Sequence, residues 1–246
     1  MKDEVVLITG AASGIGKATA ILLAQAGAKI VAADINEASV QAVLAELGDV
    51  PKLGLRVDVR DEASVQAMVD KTVEAFGRID ALVHSAGVLR AKDSGPKMLH
   101  DLTKQECDEV IDINLKGTFL VDRAVVNVMV KQKAGRVINI ASTSGRTARA
   151  LDSVYCASKF GVVGLTESLA MEVAKHNVKV LLLLPDAIQT PLWDQNGPIA
   201  APDFSLPPER VASLIEYMLK LPPDTVLQNV VIAPFRGRRR RSAPQG

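Results

Sequence analysis

Seven apolar runs of strand length, with hardly a polar residue alternating inside them, are interleaved with helix-period segments along almost the whole chain. The runs are 4–9, 28–33, 53–57, 79–83, 136–141, 178–184 and 229–233; helical patterns occupy 15–26, 37–47, 62–76, 104–131, 154–175 and 208–220. A strand with one wet face alternates, so strands without alternation are buried on both faces, between two helix layers. The expected class is α/β: about seven mainly parallel strands in a doubly wound sheet, flanked by helices on both faces. Such a sheet takes its ligands outside the carboxyl ends of its strands. At 246 residues the chain fits one domain of this kind. We expect that domain to span 1–236, followed by a basic tail, 237–246.

The junctions carry the chemistry. The first run, Glu4 to Thr9, leads through Gly10-Ala-Ala-Ser13-Gly14-Ile15-Gly16 into a helical pattern. Glycines at a strand-to-helix junction let the backbone turn tightly and approach a pyrophosphate, which rests on the free N–H groups of the helix start. The spacing differs from Gly-x-Gly-x-x-Gly, and the strand before and helix after it give the motif its weight. Asp34 closes the second run, 18 residues after Gly16. A carboxylate there accepts from adenosine ribose hydroxyls and repels a 2′-phosphate, which favours NAD over NADP. The plainer alternative is an Asp that caps the helix beginning at Glu37.

Further along, Tyr155 and Lys159 are four residues apart in a helical pattern, hence on one face, one turn apart. A free phenol, with a pKa of about 10, is too weakly acidic for proton transfer near neutrality. A neighbouring ammonium favours the phenolate, and the pair therefore reads as a candidate acid–base couple.

With these pieces in order, the chain resembles the short-chain dehydrogenase/reductase family over nearly its whole length. The family's Thr-Gly-x-x-x-Gly-x-Gly stands as Thr9 to Gly16, and its Asn-Ala-Gly as Ser85-Ala86-Gly87. Its helix asparagine is Asn114, and its serine is Ser142, thirteen residues before Tyr155. The resemblance implies a single-domain Rossmann-like fold and hydride transfer between nicotinamide and an alcohol or carbonyl carbon. It makes Tyr155 the general acid/base, Lys159 its electrostatic partner and a contact of the nicotinamide ribose, and Ser142 a donor to the substrate oxygen. Asn114 would anchor a water for proton relay. It also implies cofactor contacts from Gly10, Ser13, Gly14, Ile15, Gly16, Asp34, Ile35, Asp58 and Val59 on the adenosine side. Ser85, Ala86, Gly87, Pro185, Ile188 and Thr190 would lie on the nicotinamide side. The competing functions are reduction of β-ketoacyl groups on a carrier protein, with Arg146, Arg149, Lys131 and Lys133 as docking cations, and a non-catalytic NAD-binding sensor or scaffold.

The chain departs from the family pattern in three places. Ser85 stands for the usual Asn, Asp186 for the glycine after Pro185, and the C-terminus lacks an Asp-Gly-Gly ending. Segment 186–208 is rich in Pro and Gly and carries the only tryptophan, Trp193; it is the expected substrate lid.

Net charge of +1 and 3% aromatics give no reason to expect nucleic acid or an anionic membrane. No apolar run nears the ~20 residues that span a bilayer. Cys107 and Cys156 make no disulfide framework, and Met1 to Glu4 enter the first strand directly, leaving no room for a leader. A cytoplasmic setting is the expectation. His84, His100 and His176 lack ligand spacing, so no metal is expected; His84 reads as a partly buried strand-end residue. The resemblance adds a homo-oligomer, a tetramer or dimer. Arg236 to Arg241 reads as a solvated tail.

Overall fold

In the computed structural model, which describes residues 1–235, the apolar runs become seven strands. They are β1 (Val5–Thr9), β2 (Lys29–Asp34), β3 (Lys52–Arg56), β4 (Ala81–His84), β5 (Gly135–Ile140), β6 (Val178–Pro185) and β7 (Val230–Ile232). All pair in parallel in one sheet, ordered β3-β2-β1-β4-β5-β6-β7. The helices are α1 (Gly14–Gln25), α2 (Glu37–Glu46), α3 (Glu62–Phe76), α4 (Lys104–Ile111), α5 (Gly117–Gln132), α6 (Ser153–Val173) and α7 (Pro208–Leu219). The basic tail lies outside the described residues.

Alternate strand residues go to opposite faces, and both faces are apolar. Val6, Ile8, Ile30, Val83, Ile138 and Leu183 pack with α1, α2 and α7, for example on Leu23, Val43 and Ile215. Val5, Leu7, Val31, Leu82 and Val137 pack with α3 and α5 on Met68, Val125 and Met129. This double burial is the reason the central strands lack alternation. The two edge strands are less buried, and β3 carries exposed Lys52 and Arg56, charges that discourage pairing with another edge.

One expected element differs. The helical pattern 104–131 is not one α-helix: α4 and α5 are separated by a single π turn, Asp112–Lys116, with Asn114 buried at its centre. A π turn is wider than an α turn, but a single one of five residues is too short to show in a pattern of apolar positions read over several turns. The start of α4 was more legible, with Thr103 and Glu106 forming a reciprocal capping box.

The strand order reverses between β1 and β4, the place where such sheets open a crevice at their carboxyl ends. A cleft of about 570 Å³ opens there.

Candidate active site

The first strand ends in the glycine turn. Gly10 has φ +65°, and a Cβ on it would stand 2.7 Å from the Ala86 backbone nitrogen. A Cβ on Gly16 would stand 2.1 Å from the Gly10 carbonyl oxygen. The turn is therefore as narrow as backbone packing permits, and it aims the N-terminus of α1 at the cleft, where Ser13 caps with no side-chain hydrogen bond. Thr190 closes over this turn, its Cβ 3.2 Å from where a Gly14 Cβ would lie. Gly16 itself sits behind the turn rather than on the cleft wall.

Asp34 lines the cleft at the end of β2. Its Oδ2 accepts from Ala12 N and its Oδ1 from Asn36 N, both at 3.1 Å. The carboxylate thus braces the glycine turn. It does not cap α2, a role taken by the Asn36 side chain, which accepts from Ser39 N. Ile35 is half exposed beside it. Asp58 and Val59 lie just beyond β3, and Arg60 grips the Asp58 carboxylate with two nitrogens, which together with a backbone bond holds the acid below its usual range.

Ser142, Tyr155 and Lys159 meet on the opposite wall. Ser142 follows β5, and its Oγ accepts from Ser144 N at 3.1 Å, leaving its own proton to donate. It also stands beside Tyr155, whose phenolate form it favours. Lys159 Nζ donates to the Ile140 carbonyl at 3.1 Å and lies 5.8 Å from the Tyr155 ring centroid. Asn114 reaches in from the π turn. Its amide clamps Val88 from both sides, accepting from Val88 N and donating to Val88 O at 2.8 Å, and also donates to Ser158 Oγ. A Cβ on Gly87 would stand 3.1 Å from Asn114 Oδ1 and 3.5 Å from Lys159 Nζ. Ser85, Ala86, Gly87, Pro185, Ile188 and Thr190 complete the wall.

One expectation about acidity is corrected. Burial is the largest influence on Tyr155 and pushes its hydroxyl up to about 12, against the Ser142 hydroxyl and the Arg149 charge. Burial likewise brings the Lys159 ammonium down to about 8. Desolvation penalises both charged forms, so the four-residue spacing does not by itself acidify the phenol. His84 is corrected too: it is fully buried, its Nδ1 2.7 Å from Thr9 Oγ1, and burial brings it down to about 3.

Several pairings in the cleft carry no sequence signal. Asp186 pairs with Arg149, and Thr143 Oγ1 bridges the two at 3.1 and 3.0 Å. Asp152 precedes α6 in the N-cap position, but its carboxylate makes no cap and binds Arg90 instead. Gln195 and Asn196, from segment 186–208, contact the same Arg90 region. These pairs join residues distant in the chain, and no local pattern announces them. Among the described residues, no group of three His, Cys, Asp or Glu side chains stands close enough to hold a metal ion.

Comparison with known proteins agrees with this fold. The short chain dehydrogenase family matches residues 4–198. D-threitol dehydrogenase of Mycolicibacterium smegmatis is 42% identical over 200 residues, 79% of this chain and 75% of that protein. The solved structure of a levodione reductase has a TM-score of 0.85 at 35% identity, covering 95% of this chain and 96% of that one. A 3-ketoacyl-(acyl-carrier-protein) reductase from Brucella melitensis, solved with NADH, has a TM-score of 0.84 at 29% identity over 94% and 96% of the two chains. The chain belongs to the short-chain dehydrogenase family.

Proposed function

We propose that this oxidoreductase of alcohol and carbonyl groups uses NAD and acts on a small or medium neutral substrate, with Tyr155 as its proton-transfer group. The observation that carries the reading is convergence: Tyr155, Ser142 and Lys159 line the same cleft as the glycine turn and Asp34. The residues present fit a dinucleotide. A turn with no space for a Cβ at Gly10 or Gly16 brings backbone N–H groups and the α1 N-terminus to an anionic pyrophosphate. When bound, the nicotinamide supplies or accepts the hydride.

The remaining roles belong to this chain. Ser142 donates to the substrate oxygen and steadies its developing charge. Tyr155 gives that oxygen a proton in reduction and takes it back in oxidation, and Lys159 supplies the positive field below the ring. Asn114 fixes the Val88 backbone and so the floor beneath Gly87. Asp34, already braced by two backbone N–H groups, retains lone pairs for ribose hydroxyls; a 2′-phosphate would meet its negative charge. Asp58 and Val59 flank the adenosine end, with Ile35 beside them.

Asp186 bears on the substrate. Facing Arg149 and Thr143, its charge is neutralised, which favours a neutral polar group beside the reacting carbon over an acid. The same pairing counts against docking of an acidic carrier protein. Arg149 is engaged by Asp186, and Arg146 by the Asn229 carbonyl. Lys131 and Lys133 lie at the C-terminal end of α5, near the start of β5, at the end of the strands opposite the cleft. A homo-oligomer fits the exposed Phe119, Phe160 and Met171 on α5 and α6. A cytoplasmic setting fits the two free cysteines.

The test is the initial rate with NAD and with NADP across secondary alcohols, polyols, hydroxy acids and ketoacyl thioesters. NAD-linked oxidation of neutral alcohols is the expected result; turnover confined to thioesters or to NADP contradicts the reading.

A further inference from the structure

Segment 189–205 is a loop with a closed neck. Gln189 N donates to Leu206 O at 2.8 Å, Leu206 N donates to Ala187 O at 2.9 Å, and Ile188 and Leu206 form a parallel bridge. Trp193 Nε1 adds a bond to the Ile188 carbonyl at 2.9 Å. Loops of this size with their ends tied together form compact surface units. Beyond the neck lies the short 3₁₀ helix Pro191–Asn196, and no apolar residue is fully buried: Leu192 and Trp193 are half-buried, and between Ile188 and Val211 the only buried residue is Asn196, at 6% exposure. A loop tip held by so little apolar area belongs to the low-stability end of a fold, so its polar contacts decide where it rests.

Those contacts converge on Arg90 and the residue before it. Arg90 Nε and NH2 donate to Asn196 Oδ1 at 3.1 and 2.7 Å. The same NH2 donates to Asp152 Oδ1 at 2.7 Å, and NH1 to the Leu151 carbonyl at 2.7 Å. Gln195 Oε1 accepts from the backbone N–H groups of Leu89 and Arg90 at 2.7 and 3.2 Å. The guanidinium is therefore the junction of the loop after β4, the entry to α6 and the tip of 189–205. Its planar fork suits three simultaneous acceptors, which an ammonium could not align. Gly197 follows Asn196 directly, with φ +61° and nothing near it, a conformation from which a chain can swing.

We propose that Arg90 is the latch that fastens segment 189–205 over the cleft, through its guanidinium on Asn196 and, with Leu89, through its backbone N–H on Gln195. The neck stays fixed while the tip opens about Gly197. Opening breaks the Asn196 and Gln195 bonds but leaves Arg90 paired with Asp152, so the guanidinium keeps a counter-ion in both positions. The kinetic consequence rests on the proposed enclosure of substrate by this segment; the latch itself does not.

Hydrogen exchange of the full chain separates the two. In Asn196→Ala, the Leu89 and Arg90 amides and those of 189–205 should exchange at least about tenfold faster, the cost of losing bonds to a charged group. Amides of β1, β4 and β5 should be unchanged, and Asn196→Asp, which keeps an acceptor, should restore slow exchange. Gln195→Ala, at a half-buried position, repeats the test without emptying the Asn196 site. Substrate KM should rise with kcat less affected. Unchanged exchange at Leu89 and Arg90 in both alanine variants overturns the latch, as does acceleration that extends through the strands. Local acceleration with no turnover on any alcohol would sustain the latch and overturn the proposed function.

Discussion

At the scale of single residues, the cleft is governed by what burial does to charge. Tyr155 and Lys159 are both pushed toward their neutral forms, so neither ionises cheaply without a partner. Asp34 is different: it lies at the cleft wall, and backbone N–H groups hold its two oxygens. Its proposed role is selection between cofactors, and this is separable from its bracing of Ala12. The double substitution Asp34→Ala with Ile35→Arg removes the repelling charge and adds a phosphate-binding fork. We expect kcat/KM with NAD to fall about 100-fold and preference to shift toward NADP, since each tenfold is ~1.4 kcal/mol of lost interaction. Unchanged preference in initial-rate assays would remove Asp34 as the selector. The pairing of Asp186 with Arg149 was not legible beforehand. The sequence shows an unusual carboxylate after Pro185, but its partner is 37 positions away and joins it only through the fold.

At the scale of elements, the π turn between α4 and α5 does what a straight helix would not. The extra residue swings Asn114 inward, where its amide satisfies both backbone groups of Val88, and π turns inside α-helices often mark functional positions. The Asn114 carbonyl is also used, accepting from Thr118 Oγ1 at 2.6 Å. Asn114→Ala would leave the Val88 N–H and C=O without these partners, at about 1–3 kcal/mol for each buried group left unsatisfied. The expected outcome is a fall in unfolding free energy of roughly 2–4 kcal/mol by urea titration, within the same principle, together with reduced turnover. Full stability in the variant would mean that Val88 has other support. Asn114 was legible as a motif position, whereas the helix break was not, because one wider turn is too short to show in a pattern read over several turns. Segment 186–208 was legible as lacking a long α-helix, since its Pro and Gly interrupt one; the short 3₁₀ helix Pro191–Asn196 within it was not legible. Its fastening to Arg90 was not, because no residue of the latch lies within 40 positions of Gln195 or Asn196 except those two themselves.

At the scale of the whole molecule, a sheet buried on both faces forces polar residues into its interior, and these set its response to pH. The fold class followed from runs without alternation, and the positions of Gly10, Asp34, Asp58, Ser85, Ser142 and Pro185 at or just beyond strand ends followed from it. Asp122, on α5, is buried with Asn139 and Thr166: Asn139 Nδ2 donates to Asp122 Oδ2 at 2.6 Å and to Thr166 Oγ1 at 3.1 Å. Burial raises the Asp122 carboxyl to about 7, against the Asn139 bond. Between about pH 4 and 7 the folded chain holds a proton that the unfolded chain has lost, so this residue lowers stability as pH rises through that window. His84, brought down to about 3 by burial, acts oppositely and costs stability as pH falls below about 6.5. The two slopes offset each other over the acid range. Asp122→Asn removes one of them. Its stability should exceed wild type by about 2–4 kcal/mol at pH 8, by the conversion of pKa shift to energy. It should also fall more steeply with acid. Parallel stability curves for the two proteins from pH 5 to 8 would contradict the assignment.

In the proposed reaction Tyr155 moves the proton while the rest of the cleft holds the cofactor. The most direct test measures Tyr155→Phe twice on one preparation, for NAD binding by titration and for alcohol oxidation by initial rate. The substitution removes one oxygen from a side chain that is 8% exposed, and the cleft should remain intact. NAD affinity should stay within about twofold of wild type, and turnover should fall by ~10²–10⁴, the usual contribution of a positioned acid–base group. Turnover at the wild-type rate would contradict that role for Tyr155.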